Sequence, residues 1–309
     1  MPEKKAGKIF RSVLFVPADD PKKTQKAFGA GADAIALDLE DAVAPERKDE
    51  ARQTVKELLE RASSGPPVFV RVNSTASLYI LKDLLTVAGL PFEGIMLPKV
   101  ESGEEVRRVD WLLTLLEEEK GAAPGEMGIV PFVESALGVE RAEEIARSSG
   151  RVRCLAFGGN DFTMDIGTGY SPEGSAMYYA RCRLVTASRA AGITPPLDTV
   201  NPDFKDIPAL AREAKRAKKL GFQGKLVIHP AQVPPVNEAF SPTPEEIAWA
   251  QKVMAAFARA QAIGSGVIQL EGSMVELPVV RRAQQIISLA NAVSTQNQPP
   301  PGRSGKTTT

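Results

Sequence analysis

The chain has 309 residues, 43% of them hydrophobic, which is enough for one large core or for two of ordinary size. Basic and acidic residues balance at 38 each, so no overall positive field would attract nucleic acid or an anionic membrane. The composition therefore favours small molecules or other proteins as partners.

Cysteine and histidine are scarce, and their scarcity excludes several kinds of site. Two cysteines are too few for a disulfide framework and fit a reducing compartment. With His229 as the only histidine, neither a structural zinc site nor a serine or cysteine triad has its usual residues, so any metal is expected to bind oxygen ligands. The start MPEKKAGKIF precedes an apolar run, SVLFV, that is too short for a secretion signal or a membrane span. The sequence therefore predicts a cytoplasmic protein.

Short aliphatic runs recur along the chain, and a stretch with helical periodicity follows each of them. Parallel βα units show this alternation, and eight of them close most naturally into an α/β fold of the (β/α)₈ TIM barrel type, predicted here over residues 11–240. The eight predicted strands are RSVLFVP (11–17), AIALDLE (34–40), VFVRVN (68–73), GIMLPK (94–99), GIVPFVES (128–135), RCLAFGGND (153–161), PPLDTV (195–200) and KLVIHP (225–230).

The pattern changes after the predicted barrel. Residues 241–293 read as a helix, a hairpin around Glu271 and Gly272, and a second helix, which predicts a C-terminal lid or oligomerisation segment. Residues 1–10 are expected to be a flexible N-terminus. The polar, proline-rich residues 294–309 are expected to be a disordered tail.

Each predicted strand ends in a polar or turn-forming residue, and in a barrel these ends converge on one face. Glu134 and Asp161 end two neighbouring strands, and paired carboxylates without His or Cys suit Mg²⁺ or Mn²⁺. Asp38, Glu40 and Asp41, in the segment ALDLEDAV, are expected to accept hydrogen bonds from metal-bound water. The alternative is that Arg71 and Lys99 neutralise these carboxylates in a structural network.

Four further residues complete the candidate substrate site with Glu134. Arg71 presents a planar fork of donors that suits a substrate carboxylate or an oxyanion, although it could instead brace the segment 38–41 across the barrel mouth. Gly159, together with Gly158, would let backbone N–H groups approach a ligand closely, next to Asn160. Lys99 supplies a second positive charge at the end of the fourth strand.

Several of these motifs resemble one family in order from about Arg11 to about Ala290. The motifs are RSVLFVP, ALDLEDAV with KDEAR, VFVRVN, GIMLPKVES, VPFVES, FGGND and GKLVIHPAQVPPVNEAFSPTPEEI, and together they are similar to the HpcH/HpaI aldolase and citrate lyase β-subunit family. The resemblance implies a magnesium-dependent barrel that makes or breaks a carbon–carbon bond between an acyl-thioester enolate and a 2-oxo acid or glyoxylate. It implies Glu134 and Asp161 as metal ligands, Arg71 as a substrate-binding residue, and a homotrimer or a multiple of one.

The resemblance has one departure, in the C-terminal segment. The family's lyases carry an aspartate in a pattern like MVDxP, whereas this chain reads MVELP, with Glu276 at that place. Glu276 is the expected base at the thioester α-carbon, joining Arg71 and Glu134 as the candidate catalytic residues.

Three functions remain open on the sequence alone. The first is a lyase for the CoA thioester of a small 3-hydroxy acid, such as a citryl, malyl or citramalyl group. The second is a citrate lyase β subunit that receives its acyl group on an acyl carrier protein within a complex. The third is a pyruvate-type aldolase that acts on free 2-oxo acids.

Overall fold

The structure is a computed structural model that describes residues 8–61, 65–169, 171, 174–262, 268–270 and 273–296. It divides into two compact units, Met1–Phe240 and Ser241–Thr309. The predicted flexible N-terminus lies outside the described residues up to residue 7, and the predicted tail lies outside them from residue 297. Within the described ranges, the structure contains no helix that has both the length and the apolar character needed to cross a membrane.

Eight parallel strands close into a barrel in chain order, with the first strand paired to the eighth. The predicted (β/α)₈ barrel is therefore confirmed. The strands are β1 (Ser12–Pro17), β2 (Ala34–Asp38), β3 (Val68–Arg71), β4 (Gly94–Leu97), β5 (Gly128–Val133), β6 (Ala156–Phe157), β7 (Leu197–Asp198) and β8 (Gly224–Val227).

Helices follow the strands and cover the outside of the barrel. Where a helix begins, a short polar side chain often satisfies its first N–H groups; Ser102, Ser135 and Asp206 cap α4, α5 and α9 in this way. The helices of this unit are α1 (Pro21–Phe28), α2 (Lys48–Arg61), α3 (Ile80–Val87), α4 (Gly103–Glu119), α5 (Ala136–Glu140), α6 (Ala142–Arg147), α7 (Gly159–Asp165), α8 (Tyr178–Ala191), α9 (Ile207–Leu220) and α10 (Val233–Phe240).

The barrel has two apolar layers because successive side chains of a strand point to opposite faces. A large cluster lies between the strands and the helices, and a smaller cluster fills the barrel interior. In the interior, the rings of Phe10 and Phe69 meet edge to face with centroids 5.3 Å apart. At Gly224, a Cβ atom would lie 1.9 Å from the carbonyl oxygen of Phe10, so only glycine permits this close approach of β8 to the segment that leads into β1.

The eight strands lie where the sequence predicts them, but most end earlier than predicted. Glu40, Lys99, Glu134 and His229 lie in the loops just after their strands. Asp161 does not end β6, as predicted, but lies in the first turn of α7. Among these residues, Lys99 bonds both Glu134 and Glu40 across the barrel mouth.

The second unit contains α11 (Pro244–Ala262), the antiparallel strands β9 (Ile268–Leu270) and β10 (Ser273–Val275), and α12 (Leu277–Gln296). It has its own small core, which includes Val253, Ala256 and Val280. The helix–hairpin–helix pattern is therefore confirmed, while the predicted turn residues Glu271 and Gly272 lie outside the described residues.

Candidate active site

Glu134 directly follows β5 and precedes Ser135, the N-cap of α5. Its side chain is buried, and its Oε1 atom accepts a hydrogen bond of 2.6 Å from the backbone N–H of Lys99. On the other side, a Cβ atom at position 158 would lie 2.2 Å from Oε2 of Glu134. Glycine at position 158 therefore makes the room that the Glu134 carboxylate occupies.

Asp161 completes a pair of carboxylates with Glu134. Both residues line two adjoining cavities, of about 790 Å³ and about 400 Å³. Burial of Glu134, followed by the negative charges of Asp161 and Glu40, raises the pKa of Glu134 to about 8. Carboxylates crowded in this way are stabilised by a positive charge between them.

The chemistry of this pair fits a hard divalent cation. Carboxylate oxygens are the ligands that Mg²⁺ prefers, and Mg²⁺ commonly binds through one or two carboxylates while water or substrate completes its shell. Within the described ranges, no three His, Cys, Asp or Glu side chains gather into a metal-binding group. The chain would therefore provide Glu134 and Asp161, and the adjoining cavities leave the other positions to water and substrate.

Asp38, at the end of β2, is bound to Arg71 at the end of the neighbouring strand β3. The Asp38 carboxylate accepts hydrogen bonds from Nε and Nη2 of Arg71 at 2.7 and 2.6 Å. It also accepts the backbone N–H groups of Glu40 and Ala42. These contacts favour the alternative in which Asp38 holds Arg71, because its oxygens are engaged by protein donors.

Glu40 and Asp41 are paired with Lys99 and with the outer edge of Arg71. Nζ of Lys99 lies 2.7 Å from Oε1 of Glu40 and 3.3 Å from Oδ1 of Asp41. Nη1 of Arg71 lies 2.9 Å from Oε2 of Glu40, a charge contact without hydrogen-bond geometry. Although burial opposes its charge, Lys99 has a raised pKa because Glu40 and Asp41 stabilise the ammonium group. The acidic strand end is thus neutralised by two cations of the chain itself.

Lys99 joins the two carboxylate groups of the barrel mouth. Its φ angle is +56°, in the left-handed region that residues other than glycine adopt infrequently. In this conformation its backbone N–H points at Glu134 while its side chain reaches Glu40. Backbone strain of this kind persists where surrounding contacts enforce it, and here both contacts serve the site. Nothing in the sequence around Lys99 predicts its left-handed backbone.

The glycines before α7 have a different role from the predicted one. The prediction that Gly159 offers its N–H to a ligand is wrong, because this N–H donates to Oγ1 of Thr199 at 2.9 Å. The N–H of Gly158 donates to the carbonyl oxygen of Val133 in the neighbouring strand. Asn160, which is exposed, lines the smaller cavity and remains a candidate for substrate contact.

Thr199 links α7, the helix that carries Asp161, to a buried ionic network that the sequence did not predict. Thr199 follows β7, and its carbonyl oxygen accepts a hydrogen bond of 2.5 Å from Nζ of Lys225, which is fully buried in β8. Lys225 and Arg181 both bind Asp198, the residue before Thr199. Buried charges paired in this way fix the position of Thr199, and Thr199 in turn holds Gly159 at the start of the helix that carries Asp161.

Replacing Thr199 with valine is expected to weaken Mg²⁺ binding about tenfold, since the buried N–H of Gly159 would lose its acceptor and the start of α7 would shift. An unsatisfied buried donor costs about 1–3 kcal/mol, so a modest loss of thermal stability is also expected. The measurement is the Mg²⁺ concentration that gives half-maximal activity. Thr199→Ser keeps the hydroxyl and should need the same Mg²⁺ concentration as the wild type. If the wild type and both variants need equal concentrations, Thr199 does not support metal binding.

The second unit contains Glu276, the remaining candidate catalytic residue. Glu276 lies between β10 and α12, and its carbonyl oxygen accepts the N–H of Val279 at the start of that helix. Its side chain is exposed within the second unit. The unit therefore presents this carboxylate from the junction between its hairpin and its last helix.

The mouth of the closed parallel barrel holds paired carboxylates, an arginine and a lysine around adjoining cavities. This is the arrangement of a metal-dependent barrel enzyme. Residues 11–230 match the model of the family described as HpcH/HpaI aldolase/citrate lyase. The chain belongs to the HpcH/HpaI aldolase/citrate lyase family, as the sequence motifs indicated.

Individual relatives are similar over nearly the whole chain. The citrate lyase subunit beta of Leuconostoc mesenteroides subsp. cremoris is 39% identical over 92% of this chain and 94% of its own. The mitochondrial citramalyl-CoA lyase of Homo sapiens is 38% identical over 92% of this chain and 86% of its own. Among solved structures, the protein CitE from Mycobacterium tuberculosis, in complex with magnesium, acetoacetate and coenzyme A, is 31% identical, with a TM-score of 0.73 over 92% of this chain and 98% of that one.

Proposed function

We propose that this protein is a Mg²⁺-dependent carbon–carbon lyase that acts on the CoA thioester of a small 3-hydroxy acid. The observation that carries the proposal is the pairing of Glu134 and Asp161 at cavities that also contain Arg71 and Lys99. Relatives named as a citramalyl-CoA lyase and as a CitE protein bound to magnesium and coenzyme A support it. The products would be an acyl-CoA and a 2-oxo acid or glyoxylate.

Each group of the site has a part in the proposed cleavage. Bound at Glu134 and Asp161, Mg²⁺ would polarise oxygen atoms of the substrate and favour loss of the hydroxyl proton. As the carbon–carbon bond breaks, its electron pair forms the thioester enolate, and the Nη1 edge of the Arg71 guanidinium donates to the developing oxyanion. The enolate then takes a proton at its α-carbon. In the overall balance, one proton moves from the hydroxyl group to this carbon.

Arg71 suits this part because the contact of Nη1 with Glu40, at 2.9 Å, lacks hydrogen-bond geometry and so leaves the Nη1 donors available. The guanidinium has five N–H donors, and Asp38 engages those on Nε and Nη2. Nη1 lies at the opposite edge, and Arg71 lines the same 400 Å³ cavity as Glu134 and Asp161. Bracing by Asp38 and binding of an oxyanion are therefore compatible in one side chain.

The proposal is tested by incubating the protein with Mg²⁺ and citryl-, malyl- or citramalyl-CoA, and detecting both products by mass. Formation of an acyl-CoA and the matching 2-oxo acid from one of the three supports the lyase. Turnover of free 2-oxo acids alone would instead support the pyruvate-type aldolase.

A carrier-protein substrate is the second candidate, because one relative is named as a citrate lyase subunit beta. In that case, the acyl group would arrive on an acyl carrier protein within a complex. The same assay separates the two candidates if it also includes the acyl thioester on the pantetheine arm of a carrier protein. Preference for the carrier-bound thioester over the CoA thioester would favour the complex.

We propose Glu276 as the group that exchanges the proton at the thioester α-carbon. Glu276→Gln should abolish exchange of α-protons of acetyl-CoA or propionyl-CoA with solvent deuterium, since the amide cannot accept the proton. Glu276→Asp should retain exchange, because the family's lyases carry an aspartate at this position. Mass spectrometry measures the exchange. If the glutamine variant exchanges at the wild-type rate, Glu276 is excluded as the base, and the carboxylates of residues 38–41 become the next candidates.

We also propose a homo-oligomer, a homotrimer or a multiple of one, in a cytoplasmic setting. Exposed apolar side chains on α3 and α4 support self-association, among them Leu81, Leu85 and Leu115.

A further inference from the structure

His229, the only histidine of the chain, takes no part in the proposed cleavage. His229 lies just after β8, and its ring stacks on Phe204 from the loop after β7, with centroids 5.0 Å apart and planes inclined by 22°. His229 is exposed, and 42% of the Phe204 surface is exposed. A stacked and exposed aromatic pair is a surface on which a further flat ring can pack.

The two loops that carry these rings are tied together beneath them. Gln232 is fully buried, and its Nε2 donates to the carbonyl oxygen of Asn201 at 3.0 Å. Its Oε1 accepts the backbone N–H of Ile228 at 2.9 Å. Nδ1 of His229 accepts the N–H of Ala231, which fixes the orientation of the imidazole. These hydrogen bonds hold the two loops, and with them the ring pair, in a fixed arrangement.

The Phe204 loop is also held by its own carboxylates. Oδ1 of Asp203 accepts the N–H of Lys205 at 2.9 Å, and Oδ1 of Asp206 accepts the N–H of Ala209 as the cap of α9. Nζ of Lys205 lies 6.0 Å from the centroid of the Phe204 ring. A flat apolar surface and a nearby cation together match a heteroaromatic base that carries phosphate groups.

The ring pair adjoins the candidate active site through the chain. Ile228, the residue before His229, lines the 400 Å³ cavity, as does Val200 from the Phe204 loop. Arg71, Glu134 and Asp161 line the same cavity. The loops that carry Phe204 and His229 therefore also border the cavity that holds the paired carboxylates.

We propose that Phe204 and His229 form a stacking platform for the adenine base of a CoA thioester, with Lys205 beside its phosphate groups. The pantetheine arm is the flexible link that would pass Ile228 and leave the thioester near Arg71. This inference rests on the proposed function and deepens it, because a thioester on a carrier protein has the pantetheine arm but no adenine. The platform would thus select CoA over a carrier protein.

The test compares two thioesters with the same acyl group, one on CoA and one on pantetheine alone. Phe204→Ala should lower kcat/KM for the CoA thioester about tenfold, in line with the loss of one base–aromatic stack, and leave the pantetheine thioester unchanged. Phe204→Leu, which keeps an apolar side chain without a π face, should give an intermediate loss on the CoA thioester alone. Trp111→Ala, which removes an exposed aromatic ring from α4, is the matched control and should affect neither.

Equal losses on the two thioesters, or no loss on either, would overturn the platform. If the wild type cleaves no CoA thioester, the proposed function fails, and calorimetry with free CoA still tests the platform. CoA binding that Phe204→Ala weakens about tenfold while Trp111→Ala leaves it unchanged supports the platform. Equal CoA binding by the wild type and Phe204→Ala, or no binding by the wild type, overturns it.

Discussion

Glu134→Gln and Asp161→Asn are each expected to abolish turnover and to weaken Mg²⁺ binding strongly while leaving the fold intact. The reason is that each change removes one of the two carboxylates proposed as metal ligands, and a neutral amide is a poorer ligand for a hard cation. An activity loss of more than about three orders of magnitude is expected, because removal of even a single preorganised charge-stabilising donor costs about 10²–10³ in kcat. Calorimetric titration with Mg²⁺ measures the binding, and the melting temperature reports the fold.

Glu101→Gln is the matched control for these variants. Glu101 also lines the 790 Å³ cavity, but it does not belong to the carboxylate pair. It should keep the wild-type affinity for Mg²⁺ and most of the activity. Wild-type metal affinity in either Glu134→Gln or Asp161→Asn would place the metal elsewhere.

Binding of Mg²⁺ is also expected to depend on pH. With its pKa raised to about 8, Glu134 is expected to be mostly protonated at pH 7 in the metal-free protein, and a cation at the proposed site would bind the deprotonated form. Mg²⁺ affinity should therefore rise with pH up to about 8, and binding at pH 7 should release a proton. Titrations in buffers with different ionisation enthalpies measure this proton, which Glu134→Gln should no longer release.

The barrel could be predicted from the sequence because its signals are local. Each strand is a short aliphatic run, each is followed by a helical stretch, and eight such units have one common closed arrangement. The ends of the strands were less predictable. Asp161 lies in α7 and not at the end of β6, because the helix begins immediately at Gly159.

The composition of the candidate site was accessible from the sequence, but its connections were not. Glu134, Asp161 and Arg71 were singled out because their types, at the ends predicted for neighbouring strands, suit metal and oxyanion chemistry. The hydrogen bond between Gly159 and Thr199 joins residues 40 positions apart, and no local pattern encodes it. Long-range contacts of this kind depend on packing of the whole barrel.

The position of Lys99 illustrates the same limit. As a residue type it was expected to carry a positive charge to the barrel mouth, and it does so toward Glu40 and Asp41. Its backbone N–H toward Glu134 requires a left-handed residue after Pro98, where the sequence predicts none. The structure thus adds a contact in which a single residue orients the Glu134 carboxylate and neutralises the neighbouring acids.

Arg71→Lys is expected to lower kcat/KM by roughly two to three orders of magnitude, as for the loss of other oxyanion donors. The substitution keeps the positive charge but removes the planar fork, so one ammonium group cannot bind Asp38 on one edge and a substrate oxyanion on the other. The measurement is steady-state kinetics with the thioester that the wild type cleaves.

A comparison with Asp38→Asn separates catalysis from bracing. Asp38 is buried and holds the Nε edge of Arg71, so this variant should lose thermal stability and weaken the placement of the guanidinium. If Arg71 only braces the segment 38–41, Arg71→Lys and Asp38→Asn should share a loss of stability, and Arg71→Lys should keep a near-normal rate below its melting temperature. If Arg71 also binds the oxyanion, Arg71→Lys should lose far more activity than Asp38→Asn when the two variants are equally stable. The reason is that only Arg71→Lys removes the donor edge in the cavity that Glu134 and Asp161 also line.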